Sequence, residues 1–248
     1  MKNELGPSPG GGDNLWTRPA RAARGPAPEH SRAEIAAAGV ALADASGLAA
    51  VTMRSTAAAI GTAAASLYRY VAGREELVQL MADLVYGEFS FPAVGSGSGD
   101  PVPGLLELAR QGLAIYRRHP WLLDVPATGD LPGPNALAFI EAALAALAGS
   151  GLTGPAKLET VGLFSGVVRL FAQTEIGQRR AGQDAARWQR SLAGYLVEVA
   201  AAGRHPCLAA ALADQGAAVS DADAGAGEAA FDRAMTRILN GLLQPGHP

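Results

Sequence analysis

What most constrains this fold is the close spacing of helix starts and stops between Ser31 and Glu76. Ser31 and Glu34 have the separation of a capping box, in which hydroxyl and carboxylate satisfy the free amides of a first turn. Ile35, Ala38, Leu42 and Ala45 then recur on one predicted helical face, and Gly47 ends that helix. Thr52 is placed as the N-cap of a short second helix through Ile60. Gly61 supplies the next turn, a third helix is predicted over 63–71, and Gly73 opens a fourth. Glu75 and Glu76 favour the dipole of this fourth helix, and its apolar stripe is Leu77, Leu80, Met81, Leu84 and Val85.

Downstream, periodicity predicts helices near 104–118, 120–125, 134–148, 155–178, 184–202, 207–213 and 228–243. Breakers stand at 126–133, 149–154 and 215–227. Aliphatic and Ala content is high, and no polar/apolar alternation suggests sheet. The expected fold is all-α. Residues 1–30 form a flexible Arg/Pro/Gly-rich arm, 31–77 a helix-turn-helix head, and 78–248 a larger helical body joined to the head through the fourth helix.

Two short helices at a Gly turn, behind one supporting helix, make a helix-turn-helix. The run SRAEIAAAGVALADASGLAAVTMRSTAAAIGTAAASLYRYVAGREELVQLMADLV resembles the N-terminal domain of the TetR family of transcriptional repressors. The resemblance rests on the Ile-Ala-Ala first helix, Gly47 with Val51-Thr52-Met53-Arg54, Ala57, Gly61, Leu67-Tyr68-Arg69-Tyr70-Val71 and Arg74-Glu75-Glu76-Leu77. Ala57 is small where the two helices cross, and Leu67 and Val71, one turn apart, pin the third helix.

Tyr68, Arg69 and Tyr70 are expected to project toward a duplex. By the resemblance, Tyr68 and Tyr70 hold the DNA backbone and Arg54 and Arg69 read bases, with Thr62, Ala64, Ala65, Ser66 and Arg74 on the same surface. Ala63, Ala64 and Ala65 replace the polar or bulkier side chains usual in that family. They let the helix sink into the major groove and touch thymine methyls, but they donate no hydrogen bond. Few bases should therefore be read directly, and recognition should lean on Arg54, Thr62, Ser66, Arg69, DNA shape and the arm.

The formal net charge of -3 conceals an asymmetry. Between Leu15 and Arg74 seven arginines face three acidic residues, so the remaining chain carries the excess of acid. A basic head on an acidic body suits a protein of which only the head meets a polyanion. The arm LWTRPARAARGP adds Arg18, Arg21 and Arg24 without a matching acid, either to enter a minor groove or as a solvated tail.

For the body, the TetR resemblance implies a homodimer through two C-terminal helices, for which 155–178 and 228–243 are the candidates. Gly162 and Gly166, one turn apart, would admit a partner backbone, and Phe231, Met235, Ile238 and Leu242 share a face of the last helix. The resemblance also implies a largely apolar pocket for a small-molecule effector. Its candidate wall residues are Phe89, Tyr116, Trp121, Phe139, Phe164, Arg169, Gln173 and Trp188. Arg169 interrupts an apolar run and suits a ligand carboxylate or phenolate, or an intersubunit salt bridge. His119, ahead of Pro120 and Trp121, is assigned a helix-start role.

Catalytic readings find little support. His30, His119, His205 and His247 are scattered, and GSGSG at 95–99 lacks the strand and Lys of a phosphate loop. No cofactor or metal is expected. Cys207 is alone, the N-terminus lacks a signal-peptide apolar core, and the most apolar stretch is interrupted by Glu141, so a cytoplasmic protein without membrane association is expected.

The expected function is a ligand-responsive homodimeric repressor on a palindromic duplex operator. Effector binding would shift the fourth helix, around Arg74 to Phe89, and change the separation of the heads. The alternatives are an activator or ligand-independent regulator on the same scaffold, or a helical small-molecule carrier with a vestigial head.

Overall fold

A computed structural model describes residues 15–18, 29–91, 99–126, 131–180, 185–215 and 226–244. Arg21, Arg24 and residues 95–98 of the GSGSG loop lie outside the described residues. Among those described there are ten α-helices and no strand. No helix among them is long and apolar enough to cross a membrane. The chain packs as two compact units, Met1–Ser90 with Arg118–Glu141, and Phe91–Arg117 with Ala142–Pro248.

In the first unit, α1 (Arg32–Ser46), α2 (Met53–Ala59), α3 (Ala64–Leu67) and α4 (Arg74–Tyr86) follow the predicted punctuation. The Ser31–Glu34 capping box is formed, and Gly47 closes α1 with φ 78°. Thr52 caps α2 through a second reciprocal box with Ser55. Gly61 turns at φ 73°, a left-handed conformation that disfavours any side chain. The third helix is shorter than expected. Ala63 provides no side-chain cap, and only Ala64–Leu67 is α-helical before the chain turns through Tyr70.

The apolar face of α1 is rotated from the predicted stripe. Ile35, Ala36, Gly39 and Ala43 are buried, whereas Ala45 is exposed. Packing against α4 explains the rotation: a Cβ at Gly39 would lie 2.6 Å from Met81 Sδ and 3.6 Å from Leu77 Cδ1. Glycine here lets the two helices close on each other.

A 3-10 turn at Pro120–Asp124 packs on α1, and α6 (Pro134–Ala146) begins in the same unit. The N-terminus of α6 is capped by a residue distant in sequence. Asp83 Oδ1 accepts the Asn135 and Ala136 amides at 3.1 and 3.0 Å, and Asn135 Nδ2 donates to the Asp83 carbonyl at 3.0 Å.

Residues 15–18 depart from the expected mobile arm. Leu15 is buried, Trp16 Nε1 donates to the Leu131 carbonyl at 2.9 Å, and Arg32 Nη1 donates to the Leu15 carbonyl at 3.0 Å. An apolar residue that finds a slot in the core orders the chain around it, even within a Gly/Pro-rich sequence.

In the second unit, α5 (Val102–Arg118), α7 (Gly154–Arg180) and α10 (Ala226–Leu242) are cross-linked by charge and aromatic contacts. Arg117 makes a two-pronged pair with Glu175 at 2.9 and 3.0 Å, and Arg110 does the same with Asp232 at 3.0 and 2.7 Å. Phe171 and Phe231 meet edge to face with centroids 5.1 Å apart. The helices α8 (Ala185–Ala201) and α9 (Pro206–Gln215) pack on each other, and none of their described side chains is buried.

Candidate nucleic-acid interface and effector-binding residues

The head divides its arginines between two tasks. Arg18 pairs with Glu76, whose Oε2 also accepts the Ala72 amide at 2.6 Å. Arg32 donates to the carbonyls of Tyr70, Leu15 and Arg18. Arg74 donates through Nε to the Val51 carbonyl and through Nη2 to the Leu48 carbonyl, both at 2.8 Å. It thereby clamps the loop that leads into α2. Arg18 and Arg74, expected at the DNA surface, are thus engaged in holding the head together. The expectation that Arg18 lacks a matching acid is corrected by Glu76.

Tyr70 is also corrected. It is 5% exposed, and its hydroxyl accepts the His30 amide at 3.4 Å. The turn after α3 explains the difference, because two residues of rotation separate it from Tyr68, which is 59% exposed. Leu67 and Val71 are fully buried and anchor this segment as expected.

Arg54, Ala65, Tyr68 and Arg69 are exposed, and Thr62, Ala64 and Ser66 are half-buried. Arg69 lies over the Tyr70 ring, its guanidinium carbon 6.0 Å from the centroid. Among the described residues, Arg54 makes no hydrogen bond or ion pair within the chain. The α2–α3 surface therefore offers two cationic forks and a phenol around a small, alanine-lined helix.

The effector candidates fall into separate groups. In the first unit the Phe89 and Phe139 rings meet at a tilt with centroids 4.7 Å apart, and Tyr86, which sequence reasoning missed, lies 5.8 Å from both. Tyr86 follows the apolar stripe of α4 by one residue, which was the available signal. In the second unit Tyr116 and Arg169 are hydrogen-bonded, and burial, opposed by Arg169, raises the Tyr116 pKa above its ordinary value. Phe164 is buried in the core.

Trp121 is corrected as a wall residue. It is 1% exposed, and its indole N–H donates to Asp44 Oδ1 at 2.8 Å, fastening the 3-10 turn to α1. Gln173 lies on the exposed face of α7, and Trp188 is 40% exposed on α8.

The predicted dimer residues also divide. Phe231 and Met235 are buried within their own chain, because this face of α10 packs inward beside Phe171. They are corrected to core. Ile238 and Leu242 are half-buried. Among the described residues nothing lies within 4 Å of a Cβ added at Gly162 or Gly166 on α7, and the neighbouring Leu158, Leu163 and Leu170 are exposed.

A helix-turn-helix carried by an all-helical chain with a second helical unit has the architecture of a DNA-binding regulator. Residues 96–245 match the family described as "Tetracyclin repressor-like, C-terminal domain". The HTH-type transcriptional repressor DrrR1 of Streptomyces coeruleorubidus is 36% identical over 232 residues, covering 92% of this chain and 83% of that protein. An HTH-type transcriptional regulator of Saccharopolyspora erythraea is 30% identical over 243 residues, covering 97% and 96%.

ActR of Streptomyces coelicolor in complex with actinorhodin superposes with a TM-score of 0.70 at 25% identity, covering 87% of this chain and 96% of that one. ActR with (S)-DNPA gives 0.68 at 26%, covering 88% and 98%. The chain belongs to the TetR family of transcriptional regulators.

Proposed function

We propose that the chain is a homodimeric repressor that holds a two-fold operator through α2 and α3 and releases it when a small molecule occupies the body. The observation that carries this reading is the partition of the head's arginines. Arg18, Arg32 and Arg74 bind carbonyls or acids of their own chain, while Arg54 on α2 and Arg69 and Tyr68 just after α3 are exposed. Arginine is the side chain best matched to guanine, at roughly 1–3 kcal/mol of discrimination for each two-pronged contact.

The homodimer reading is supported by α7. Leu158, Leu163 and Leu170 are exposed beside two glycines at which an added Cβ would meet nothing within 4 Å among the described residues. A second copy of α7 would bury these leucines and use the close approach that glycine allows.

The effector reading is supported in the second unit by the hydrogen-bonded Tyr116–Arg169 pair, which suits a molecule with an acidic or phenolic group. ActR, a relative in fold and sequence, is known with bound actinorhodin and (S)-DNPA.

The test is selection of bound sequences from random duplex DNA by the full-length protein at near-physiological salt. A palindromic motif, lost in the double variant Arg54→Ala/Arg69→Ala, is expected. No enrichment would overturn the reading. Deletion of the gene should raise transcription from the operator so found, whereas a fall would identify an activator.

A further inference from the structure

The four residues of α3 cannot hold their own direction, because a single helical turn makes too few hydrogen bonds to offset the ordering of its backbone. From Tyr68 to Gly73 the chain beyond it has no regular helix. Tyr68 and Arg69 therefore stand where contacts from the rest of the head place them. The buried Leu67 and Val71 side chains anchor the stretch, and two charged side chains grip its backbone. Arg32 Nε donates to the Tyr70 carbonyl at 3.1 Å, and Glu76 Oε2 accepts the Ala72 amide at 2.6 Å.

Both of these side chains are held in turn by one N-terminal segment. Arg32 Nη1 donates to the carbonyls of Leu15 and Arg18 at 3.0 and 3.3 Å, and the Arg18 guanidinium pairs with Glu76. The segment is seated by its apolar pair. Leu15 is 2% exposed, and the Trp16 indole donates to the Leu131 carbonyl at 2.9 Å. The ring edge lies so close to Gly133 that a Cβ there would be 2.7 Å from Trp16 Cη2. Without the two carbonyl acceptors the long Arg32 side chain recovers rotamer freedom, and its bond to Tyr70 weakens.

We propose that Leu15–Arg18 is a positioning strap for DNA reading: it orients Arg32 and Glu76, which fix the backbone between α3 and α4 and so set where Tyr68 and Arg69 meet a duplex. The proposal rests on the DNA-binding reading above. It goes further by giving this segment a role through the geometry of the head instead of through contact with DNA.

The experiment measures binding of the full-length protein to its selected operator and to a nonspecific duplex over a series of salt concentrations. The variants are Leu15→Ala/Trp16→Ala, Trp16→Phe, Arg32→Lys, and the first combined with Arg32→Lys, each at a temperature where its unfolding curve shows it folded. Unseating the strap should lower operator affinity about tenfold, the scale of one hydrogen bond to a charged group, and leave nonspecific affinity and its salt dependence unchanged. Arg32→Lys keeps the charge but not the fork, and should lose about as much. The combined variant should lose no more than the worse of its parents, because both act through one contact. Trp16→Phe keeps a ring and loses only the N–H, so it should fold and lose about threefold.

Wild-type operator affinity in the folded strap variants would overturn the proposal and leave the segment a support of stability alone. If the double variant does not fold, Trp16→Phe decides. A parallel fall on operator and nonspecific DNA, with a salt slope smaller by about one, would overturn it too, because that marks an arm touching phosphates. Absence of operator binding by wild type would overturn the DNA-binding reading instead.

Discussion

Asp83 is an acid in the apolar stretch LMADLV, and its removal should show how strongly α4 is bound to α6. Its carboxylate accepts two backbone amides, from Asn135 and Ala136, and the Asn135 side chain at 3.3 Å. It is 7% exposed, so water cannot readily replace it. A hydrogen bond to a charged group contributes about 1.5–3 kcal/mol, and loss of an N-cap alone costs about 0.5–2 kcal/mol. The contributions overlap, so Asp83→Ala should cost about 3 kcal/mol. Asp83→Asn keeps one oxygen acceptor and the same shape, and should cost about 1 kcal/mol. For a protein of this size the alanine variant should melt about 6–12 °C lower. Thermal and urea unfolding at one fixed protein concentration would measure both, since the proposed dimer would add a concentration-dependent term. If Asp83→Ala unfolds within about 0.5 kcal/mol of wild type, a shift within the ordinary range of surface substitutions, the carboxylate is not what caps α6.

Gly39→Ala should destabilise the head by about 1 kcal/mol, because overpacking against Met81 at about 1–3 kcal/mol outweighs the gain in helix propensity of about 1 kcal/mol. Adding Met81→Leu should recover part of the loss in the same unfolding assay. Tyr70→Phe should lower stability by about 0.5–1.5 kcal/mol and leave operator affinity unchanged, whereas Tyr68→Phe should weaken operator binding without changing the melting temperature. Burial raises the Glu76 pKa, but the Arg18 side chain, the Ala72 amide and Arg32 outweigh it and hold the group below the ordinary 4.5. Its contribution is thus complete above that value and is lost as pH falls through the folded-state pKa. Glu76→Gln should flatten the acid limb of a stability-against-pH curve, and an unchanged limb would refute the pairing.

Local chemistry was legible in the sequence and long-range chemistry was not. Ser31–Glu34, Gly47, Thr52 and Gly61 act on their immediate neighbours, so their positions alone located the helix ends. Periodicity found the body helices for the same reason. The face that α1 buries depends on where α4 lies, and Ala36 and Gly39 are as small as the Ala38 and Ala45 first assigned to it. Tyr70 and Tyr68 look alike two residues apart, and only the brevity of α3 turns one inward. Asp44 and Asp83 gave a usable signal, since each interrupts an apolar helix, yet their partners at 119, 121 and 135 are far along the chain. Leu15 and Trp16 likewise stood out as the only large apolar pair in a Gly/Pro tail.

The alanines of α3 bear on why one head would not suffice. On the proposed reading, with Ala63, Ala64 and Ala65 unable to hydrogen-bond bases, direct reading by a head falls chiefly to Arg54 and Arg69. Two good arginine–guanine contacts supply roughly 2–6 kcal/mol of discrimination. Specific DNA binding generally exceeds nonspecific binding by about 4–10 kcal/mol. One head lies at the lower edge of that range, while two heads on a palindrome, spaced about 34–36 Å apart, reach it without any new kind of contact. On this account the exposed leucine and glycine face of α7 and the spare chemistry of α3 belong together. On the proposed dimer, Leu170→Arg leaves the head's residues in place and puts a charge on the α7 face, and should reduce operator selection to weak, salt-sensitive binding, because phosphate contacts survive in a monomer and doubled base reading does not. Retention of full specificity by a demonstrated monomer would mean that the bases are read by something other than Arg54 and Arg69.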